Sequence, residues 1–412
     1  MRLLIVSQYF WPETVIINDL AGLLVQRGIE VTVLTGKPNY PGGKILDGYR
    51  VWGVQRQDYE GVEVVRVPLF PRGQNSRVKL ALNYLCFIFT ASLFGSYALR
   101  GGKFDAILVF GVSPLLKSLA AMVLAWLKKA PMLVWVQDLW PESLTATGHV
   151  KNRAIVGVVG WLVRAIYRRA DMILVQSRAF REPVVAYCDR PEKIRYYPNF
   201  YLAPAAASPT AGAVALADDL RQTFSVVFAG NIGVAQDPET ILETARLLRD
   251  EPGIRIVLIG SGSRDAWLAE QVAALGLDNL ELAGRFDPGD MPHLFASSSA
   301  LLVTLTAEPA FARTVPSKVQ AYLAAGRPIV AALDGEGARV IAEAEAGLCV
   351  PSGRAEALAG AIRELCATPL AELDTLGANG KRYFERNFEP QKLVDELIVH
   401  LQDTFALRGL ST

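Results

Sequence analysis

The strongest constraint in this sequence is a repeated alternation of short apolar runs with helical patterns. Such runs are typical of strands buried in a parallel sheet, and the helical stretches between them supply the crossover connections. In the first half they begin at Leu3, Val31, Val62, Ala106, Met132 and Met172. The pattern therefore predicts a doubly wound α/β domain over residues 1–200.

A second series of the same kind follows an alanine- and proline-rich stretch. The stretch "YLAPAAASPTAGAVAL" has no charge and no periodicity, so residues 201–217 are predicted to form a linker. Apolar runs resume at Phe224, Ile254, Asn279, Ala300 and Pro328. The sequence thus predicts a second Rossmann-like domain over residues 218–388, with a ligand-binding cleft between the two domains.

The two halves carry opposite net charge. Residues 1–198 contain 25 Lys+Arg and 14 Asp+Glu, which gives +11, and the remaining 17 and 27 give −10. Residues 64–104 and 143–170 contain bases but no acid. Such a field attracts an anionic partner, for example a pyrophosphate or an acidic lipid surface. Nucleic acid is not predicted as a partner, because the aromatic and basic strand pattern of RNA-binding domains is missing.

The start of the chain and its cysteines indicate a cytoplasmic protein. The opening "MRLLIVSQYF" is too short for the apolar region of a signal peptide and lacks a small-residue cleavage site. The four cysteines are far apart without metal-ligand spacing, so we expect reduced, packed thiols.

One apolar segment is about as long as a membrane span. Leu80–Leu99 has no charged residue and is flanked by bases on both sides. Three interpretations stay open: a buried helix of the domain, a helix that lies in the membrane interface, and a true span. Asn83 and Thr90 count against a span, and the basic flanks favour attachment to an anionic surface. The segment 150–170 has the same character.

Two glycine-rich turns in the second half each follow a predicted strand. "FAGNIGVAQ" contains Gly230, Asn231 and Gly233, and "LIGSGSR" contains Ser261 and Gly262. Glycine lets a ligand approach the backbone, and exposed amides at a helix start favour a phosphate. The complete dinucleotide fingerprint with its ribose-binding acid is missing, so a nicotinamide dehydrogenase is disfavoured.

The stretch "RTVPSKVQAYLAAG" predicts the cationic part of a phosphate site. Proline and serine suit the first turn of a helix. Lys318 in that turn opposes the helix dipole, which is unfavourable unless an anion is bound there. The segment is therefore predicted to hold a diphosphate. Its members are Thr314, Val315, Pro316, Ser317 and Lys318, with Arg285 and Arg313 as additional cations.

The first half places polar residues after two of its predicted strands. In "WVQDLWPES", Asp138 and Glu142 follow a buried run, where a carboxylate suits a base or an acceptor for a sugar hydroxyl. Capping of the next helix is the alternative role. The other acceptor-binding candidates are Tyr9, Glu13, Asn18, Trp140 and His149. The three histidines are scattered and no metal-binding cluster stands out, so the sequence predicts no metal and no cofactor.

Together these segments resemble the bacterial family-4-type retaining glycosyltransferases, which have the type B fold of two Rossmann-like domains. The likeness is to the O-antigen, capsule and colanic-acid subgroup that includes fucosamine transferases. The segments that carry it are "QYFWPE", "INDLAGLLVQRGIEVTVLTGKPNYPGGKILDGY", "VQDLWPESLTATG", "FAGNIGVAQ", "VPSKVQAYLAAGRPIVAALDGEG" and "AGLCVPSG".

The resemblance implies a UDP-sugar donor in the second domain and a polyprenyl-diphosphate-linked sugar as acceptor in the first. It implies a peripheral location on the inner membrane, with the acceptor bound at that anionic surface. It also implies retention at the anomeric carbon without a metal, and a C-terminal helix over residues 389–412 that returns to the first domain. The catalytic candidates are Asp138, Glu142 and Lys318, acting by positioning the substrates and neutralising the departing UDP.

One departure from the family concerns the donor site. The family places two glutamates eight residues apart, and these positions are Arg313 and Ala321 here. A lysine is usual in the first glycine loop, where Gln236 stands nearby in this chain. The candidates to replace the missing carboxylates are Glu308, Gln320 and Glu336, of which Glu336 is included in the predicted donor site.

Two other functions stay open on the sequence. A UDP-sugar 2-epimerase has the same two-domain architecture, but it leaves the basic and apolar first domain unexplained. A non-catalytic two-lobed sugar-binding protein would carry an export signal, which is not seen here.

Overall fold

The computed structural model describes residues 1–73, 76–146, 152–204 and 208–406, which divide into two compact units. The first unit contains Met1–Asn199 together with the chain from Gln391 onward, and the second contains Phe200–Pro390. Each unit is built on one largely parallel sheet with crossover helices. The predicted class of two Rossmann-like α/β domains is therefore confirmed.

The first unit has eight described strands in the order β3-β4-β2-β1-β5-β6-β7-β8. Only the pairing of β3 with β4 is antiparallel among these strands. The sequence missed β3 and β8, because neither contains an apolar run. The strands are β1 (Arg2–Val6), β2 (Glu30–Thr35), β3 (Gln55–Tyr59), β4 (Val62–Arg66), β5 (Ala106–Gly111), β6 (Met132–Val136), β7 (Met172–Val175) and β8 (Ile194–Tyr196).

The helices of this unit connect parallel strands, and those that contain Phe87, Leu124, Val163 and Val184 share one hydrophobic core with the sheet. They are α1 (Ile16–Gln26), α2 (Arg77–Thr90), α3 (Ser96–Ala98), α4 (Ser118–Lys128), α5 (Glu142–Ala146), α6 (Arg153–Arg169) and α7 (Arg181–Val185). A π-helical stretch, Ala91–Gly95, joins α2 to α3. Single 3₁₀ turns occupy Leu115–Lys117, Arg178–Phe180 and Pro191–Lys193.

The second unit has six described parallel strands in the order β11-β10-β9-β12-β13-β14. Alternate residues of β9 face opposite cores, with Val227 on one side of the sheet and Val226 and Phe228 on the other. The strands are β9 (Phe224–Asn231), β10 (Ile254–Ser261), β11 (Leu280–Gly284), β12 (Ala300–Thr304), β13 (Ile329–Ala332) and β14 (Gly347–Val350).

The helices of the second unit include α8, which occupies part of the predicted linker. They are α8 (Ala211–Leu220), α9 (Pro238–Leu247), α10 (Asp265–Leu275), α11 (Met291–Ser297), α12 (Pro309–Ala312), α13 (Ser317–Ala325), α14 (Glu336–Glu343), α15 (Ala355–Ala367) and α16 (Leu370–Asn387). Short 3₁₀ turns lie at Val234–Gln236 and Pro288–Asp290.

The linker prediction over residues 201–217 is wrong for its second half, which is helical. The Thr210 hydroxyl accepts a hydrogen bond from the Ala213 N–H at 3.3 Å and so caps α8. Thr210 is itself fixed by Asp290, whose carboxylate accepts from its N–H at 2.8 Å and from its hydroxyl at 2.9 Å. Alanine and leucine favour a helix. The linker prediction missed this helix because it relied on the lack of charge and of periodicity in the stretch.

The last helix, α17 (Pro390–Ala406), packs on the first unit. The Tyr197 hydroxyl donates to the Leu393 carbonyl at 3.0 Å, and Arg27 forms an ion pair with Asp395 at 2.7 Å. Leu397 and Leu401 on the same helix are fully buried. The first unit is thus completed by residues that follow the second unit in the chain.

Candidate active site

A cavity of about 830 Å³ lies at the carboxyl edge of the second sheet. It is formed by the ends of β9 and β10, the first turn of α13 and the segment that follows β11. The structure brings together seven residues that the sequence predicted for donor binding. They are Gly230, Asn231, Ser261, Gly262, Arg285, Ser317 and Lys318.

The two glycine turns pack backbone against backbone at one wall of this cavity. Gly230 pairs with Gly260 across the parallel strands. A Cβ on Gly260 would lie 1.9 Å from the Gly230 carbonyl oxygen, and one on Gly262 would lie 2.2 Å from the Ile232 oxygen. Gly260 also has φ of +142°, which side chains rarely adopt. A side chain at either position would clash with the neighbouring main chain, so both positions require glycine. The groups that these turns offer to a ligand are therefore main-chain groups.

Lys318 supplies a cation at the same wall. Its Nζ is buried and makes no hydrogen bond to any described residue. The nitrogen lies 3.4 Å from the centroid of the Phe228 ring, and its side chain passes close to Gly230. Burial lowers the pKa of Lys318 to about 7. A buried amine without a partner, beside glycine turns and a helix start, suits a bound phosphate.

Five other predicted donor residues lie outside the lining of this cavity: Gly233, Thr314, Val315, Pro316 and Glu336. The Thr314 hydroxyl donates to the Phe311 carbonyl at 3.1 Å, and Val315 is buried in the core. The Gly233 N–H donates to the Gln236 side chain at 3.3 Å, which also accepts from Asn231 at 2.9 Å. Gln236 therefore holds the turn in shape.

The residues considered as replacements for the family's glutamates are dispersed. Glu336 is buried at the start of α14, where Arg339 binds both of its carboxylate oxygens at 3.0 and 2.7 Å. Glu308 lies in a separate cavity of about 240 Å³ that Asp334 also lines. Ala321 lines the large cavity, so its small side chain adds space where the family has a carboxylate.

The sequence missed the apolar wall of the large cavity. Its members include Tyr201, Phe286, Met291 and Phe295. An apolar surface in the same cavity as cationic side chains suits a ligand with a flat ring and a charged tail. The available signal was the stretch "GRFDPGDM", in which Phe286 and Pro288 follow the end of β11.

A second group of polar residues lies at the carboxyl edge of the first sheet. Asp138 follows β6, and its carboxylate accepts a hydrogen bond from the Ser113 N–H at 2.6 Å. The Trp140 indole donates to the Ser113 hydroxyl at 3.1 Å, which ties this loop to the one after β5. Tyr9 follows β1 and is buried. Burial and the adjacent Tyr84 raise the pKa of its phenol.

Lys117 lies among these residues and was missed by the sequence analysis. It is fully buried, and its Nζ makes no hydrogen bond to the described part of the chain. The nitrogen is 6.0 Å from the centroid of the Tyr9 ring. Burial lowers its pKa to about 7, while the Asp138 charge acts in the opposite direction. It follows β5 next to β1, where the strand order reverses and open α/β sheets bind ligands.

Glu13 and Asn18, predicted to contact the acceptor, have structural roles. The Glu13 carboxylate accepts hydrogen bonds from the N–H groups of Asn39 and Tyr40 at 2.8 and 2.7 Å. The Asn18 side chain accepts from the Trp11 N–H at 3.0 Å and donates to the Glu13 carbonyl at 2.8 Å. Both side chains therefore shape the loop that carries Tyr9.

The charges of Asp138 and Glu142 act on different groups. The negative charge of Asp138 acts to raise the pKa of Lys117 and of Tyr84. Glu142 begins α5, and its charge acts to raise the pKa of Tyr167 and of Tyr187. Burial raises the pKa of Tyr187, and the Glu142 charge adds to that rise. His149 lies outside the described residues. Within the described ranges, no three His, Cys, Asp or Glu side chains are grouped so that they could hold a metal.

Comparison with known proteins matches both units to domain families. Residues 14–199 match the glycosyl transferase 4-like domain, and residues 223–368 match the glycosyl transferases group 1 domain. The chain is 27% identical to a protein of Escherichia coli strain K12 named as the colanic acid biosynthesis glycosyl transferase WcaI, covering 97% of this chain and 99% of that one.

Solved structures share the fold over nearly the whole chain. Sucrose-phosphate synthase from Thermosynechococcus elongatus has a TM-score of 0.71 at 19% identity, covering 98% of this chain and 99% of that one. Anabaena HepE in complex with UDP has a TM-score of 0.70 at 17% identity, covering 98% and 100%.

Proposed function

Because this chain belongs to the glycosyltransferases, with a 4-like domain followed by a group 1 domain, we propose that it transfers a sugar from a UDP-sugar to a polyprenyl-diphosphate-linked glycan. The transfer retains the configuration at the anomeric carbon and needs no metal. The reaction serves bacterial surface polysaccharide biosynthesis and takes place on the cytoplasmic side of the inner membrane. The likeness to the colanic acid transferase supports this setting.

One observation carries the donor half of the proposal: the unpartnered Nζ of Lys318 beside the glycine turns. A diphosphate placed there would pair with this ammonium and with the main-chain N–H groups of the turns. The apolar wall near Phe286 would receive the base. Pairing with Lys318 would also stabilise UDP as it leaves, which is the main catalytic contribution that the site can make. The UDP complex of HepE, which has the same fold, is consistent with this choice of nucleotide.

The acceptor half of the proposal is placed on the first unit. Asp138 orients the acceptor hydroxyl, and Tyr9 and Trp140 frame it. The anionic membrane surface is the expected partner of this basic unit. The sugar moved is proposed to be an N-acetylated deoxyhexosamine, from the resemblance to fucosamine transferases. An epimerase and a non-catalytic sugar-binding protein are set aside, because both domain families are glycosyl transferases.

Calorimetric titration with UDP, GDP and ADP tests the donor assignment. We expect UDP to bind, and Lys318→Ala to weaken it about tenfold to a hundredfold, as the loss of a charge-assisted contact implies. Lys381→Ala is the matched control, since Lys381 is an exposed lysine on α16 of the same unit. Equal UDP affinity in the wild type and Lys318→Ala would refute the site. Preference for GDP would replace the proposed nucleotide.

A further inference from the structure

Three helices of the first unit expose apolar side chains on one side of the sheet. The stretch from α2 to α3 exposes Leu85, Phe89 and Tyr97, which share one face at helical spacing. Trp126 on α4 is 74% exposed, and Trp161 on α6 is 64% exposed. We call the outward apolar side chains of residues 78–97, 123–127 and 155–161 the apolar face.

The apolar face is a single surface, because α4 contacts both of the other helices. The inner sides of all three helices enter the same core, where Phe87, Leu124 and Val163 are fully buried. Their outer sides therefore point away from the sheet together. Contiguous exposed apolar surface of this kind marks an interaction site.

The helix from Val78 to Ala98 is long and apolar enough to span a membrane, and it is the one such helix among the described residues. Its other side is nevertheless part of the folded unit. The Asn83 carboxamide accepts a hydrogen bond from Gln8 at 2.6 Å, and Ala91 is fully buried. A span would have to break this packing, so the structure favours a helix that lies flat.

The excess of basic residues around the apolar face indicates what kind of partner binds it. Between Val64 and Ala170 the sequence has 14 basic residues and three acids, Asp105, Asp138 and Glu142. Glu142 belongs to α5, and the three helices of the apolar face contain no acid at all within their described bounds. A second copy of this chain would bring like charges together at this surface. Anionic lipid instead supplies the opposite charge, and tryptophan is favoured at the boundary between headgroups and acyl chains.

We propose that the apolar face enters one leaflet of an anionic bilayer, with α2–α3, α4 and α6 lying in the interface. This inference rests on the proposed function, since it attaches to the membrane the unit that is proposed to bind a lipid-linked acceptor. It adds the surface and the mode of attachment, which is insertion of three helices and not charge attraction alone. Basic residues such as Lys129 and Arg164, both exposed, flank the inserted side chains.

Flotation of the full chain with phosphatidylcholine vesicles, with and without phosphatidylglycerol, tests the inference. We expect binding to the anionic vesicles and quenching of tryptophan fluorescence by brominated acyl chains. Phe89→Glu, Trp126→Glu and Trp161→Glu should each lower partitioning about tenfold. Leu370→Glu, at a side chain 70% exposed in the second unit, is the matched control and should change nothing.

The outcomes separate this inference from the proposed function. Variants on the apolar face should keep the UDP affinity of the wild type, because the donor site lies in the other unit. Unchanged vesicle binding in all three variants overturns the inference and leaves the donor site untouched. Light scattering that shows a dimer, lost in the same variants, assigns the surface to a second copy and also overturns it.

Discussion

The Nζ of Lys318 lies 3.4 Å from the centroid of the Phe228 ring, over the face of a side chain that is itself fully buried. An aromatic face attracts an ammonium group, but less strongly than a phosphate does. The ring therefore holds the side chain beside the glycine turns without satisfying its hydrogen-bonding capacity. The Nζ of Lys318 is therefore positioned to bind an anion. Because burial lowers its pKa to about 7, the protonation of this amine can also change when an anion binds.

Binding of UDP at pH 8 should take up close to one proton. Burial lowers the pKa of Lys318 to about 7, so the amine is mostly neutral at pH 8 before UDP arrives. Pairing with a diphosphate favours the charged form and raises that pKa, so the complex holds the proton. The affinity should therefore fall as pH rises above about 7.

Titration calorimetry in buffers of different ionisation enthalpy measures this uptake. The phosphates of UDP are already ionised at pH 8, so they do not contribute. Lys318→Met should bind more weakly and without linked protonation. Proton uptake that persists in Lys318→Met would place the titrating group elsewhere.

Without ligand, the same amine should make stability depend on pH. Its pKa is depressed relative to the unfolded chain, so the unfolded state binds more protons between about pH 7 and 10. Its contribution to the free energy of unfolding therefore rises with pH across that window. A thermal melt series from pH 6 to 9 on wild type and Lys318→Met should show this difference in slope, and parallel curves would contradict it.

Gly260→Ala should damage the second unit and the donor site together. The new Cβ would lie 1.9 Å from the Gly230 carbonyl oxygen, and φ of +142° is unfavourable for alanine. We expect a loss of about 2–4 kcal/mol in the free energy of unfolding, with weaker UDP binding because both turns must shift. Gly253→Ala is the control, since a Cβ there meets nothing within 4 Å. Denaturant unfolding that gives equal losses for both would refute the close packing of the turns.

Lys117→Met should stabilise the first unit and reduce transfer. The wild-type amine is fully buried and has no hydrogen-bond partner in the described chain, a situation that costs about 1–3 kcal/mol. Methionine fills a similar volume without that cost. If Lys117 helps to hold an acceptor oxygen beside Asp138, the variant gains stability but loses kcat/KM for the acceptor. Calorimetric melting and transfer assays measure the two effects, and wild-type turnover in the stabilised variant would make Lys117 a packing residue.

Sequence patterns predicted most of the fold because buried parallel strands consist of apolar runs. They failed for β3, which is polar, for β8, which has three residues with Arg195 at its centre, and for β14, where Gly347 and Cys349 interrupt the run. The glycine turns and Lys318 could be predicted because each is identified by its neighbours in sequence: the turns directly follow predicted strands, and Lys318 follows the Pro-Ser start of a helix. Lys117 could not be predicted in this way. It follows β5, which pairs with β1 where the strand order reverses, and a short sequence pattern does not show which strands are neighbours.

The pair Asp138 and Glu142 shows the same limit and gives the last prediction. Four residues of separation made them look like partners, but Asp138 accepts a hydrogen bond from the Ser113 N–H and its charge affects the pKa of Lys117, whereas the Glu142 charge affects the pKa of Tyr187. Asp138→Asn should therefore lower kcat/KM about a hundredfold, as the loss of an acceptor-orienting carboxylate implies. Glu142→Gln should stay within about threefold of the wild type, because Glu142 begins α5 and its charge acts on Tyr167 and Tyr187 of its own unit and not on Lys117.

Release of UDP from a UDP-N-acetylhexosamine, with a short-chain polyprenyl-diphosphate N-acetylglucosamine as acceptor, measures both variants. UDP affinity should be unchanged in each, since both residues lie in the first unit. Equal losses of kcat/KM in the two variants would restore the paired role. Two carboxylates with different neighbours would lose activity equally only if both took part in the same step. A loss confined to Glu142→Gln would move the acceptor site away from Lys117 and Tyr9 towards α5.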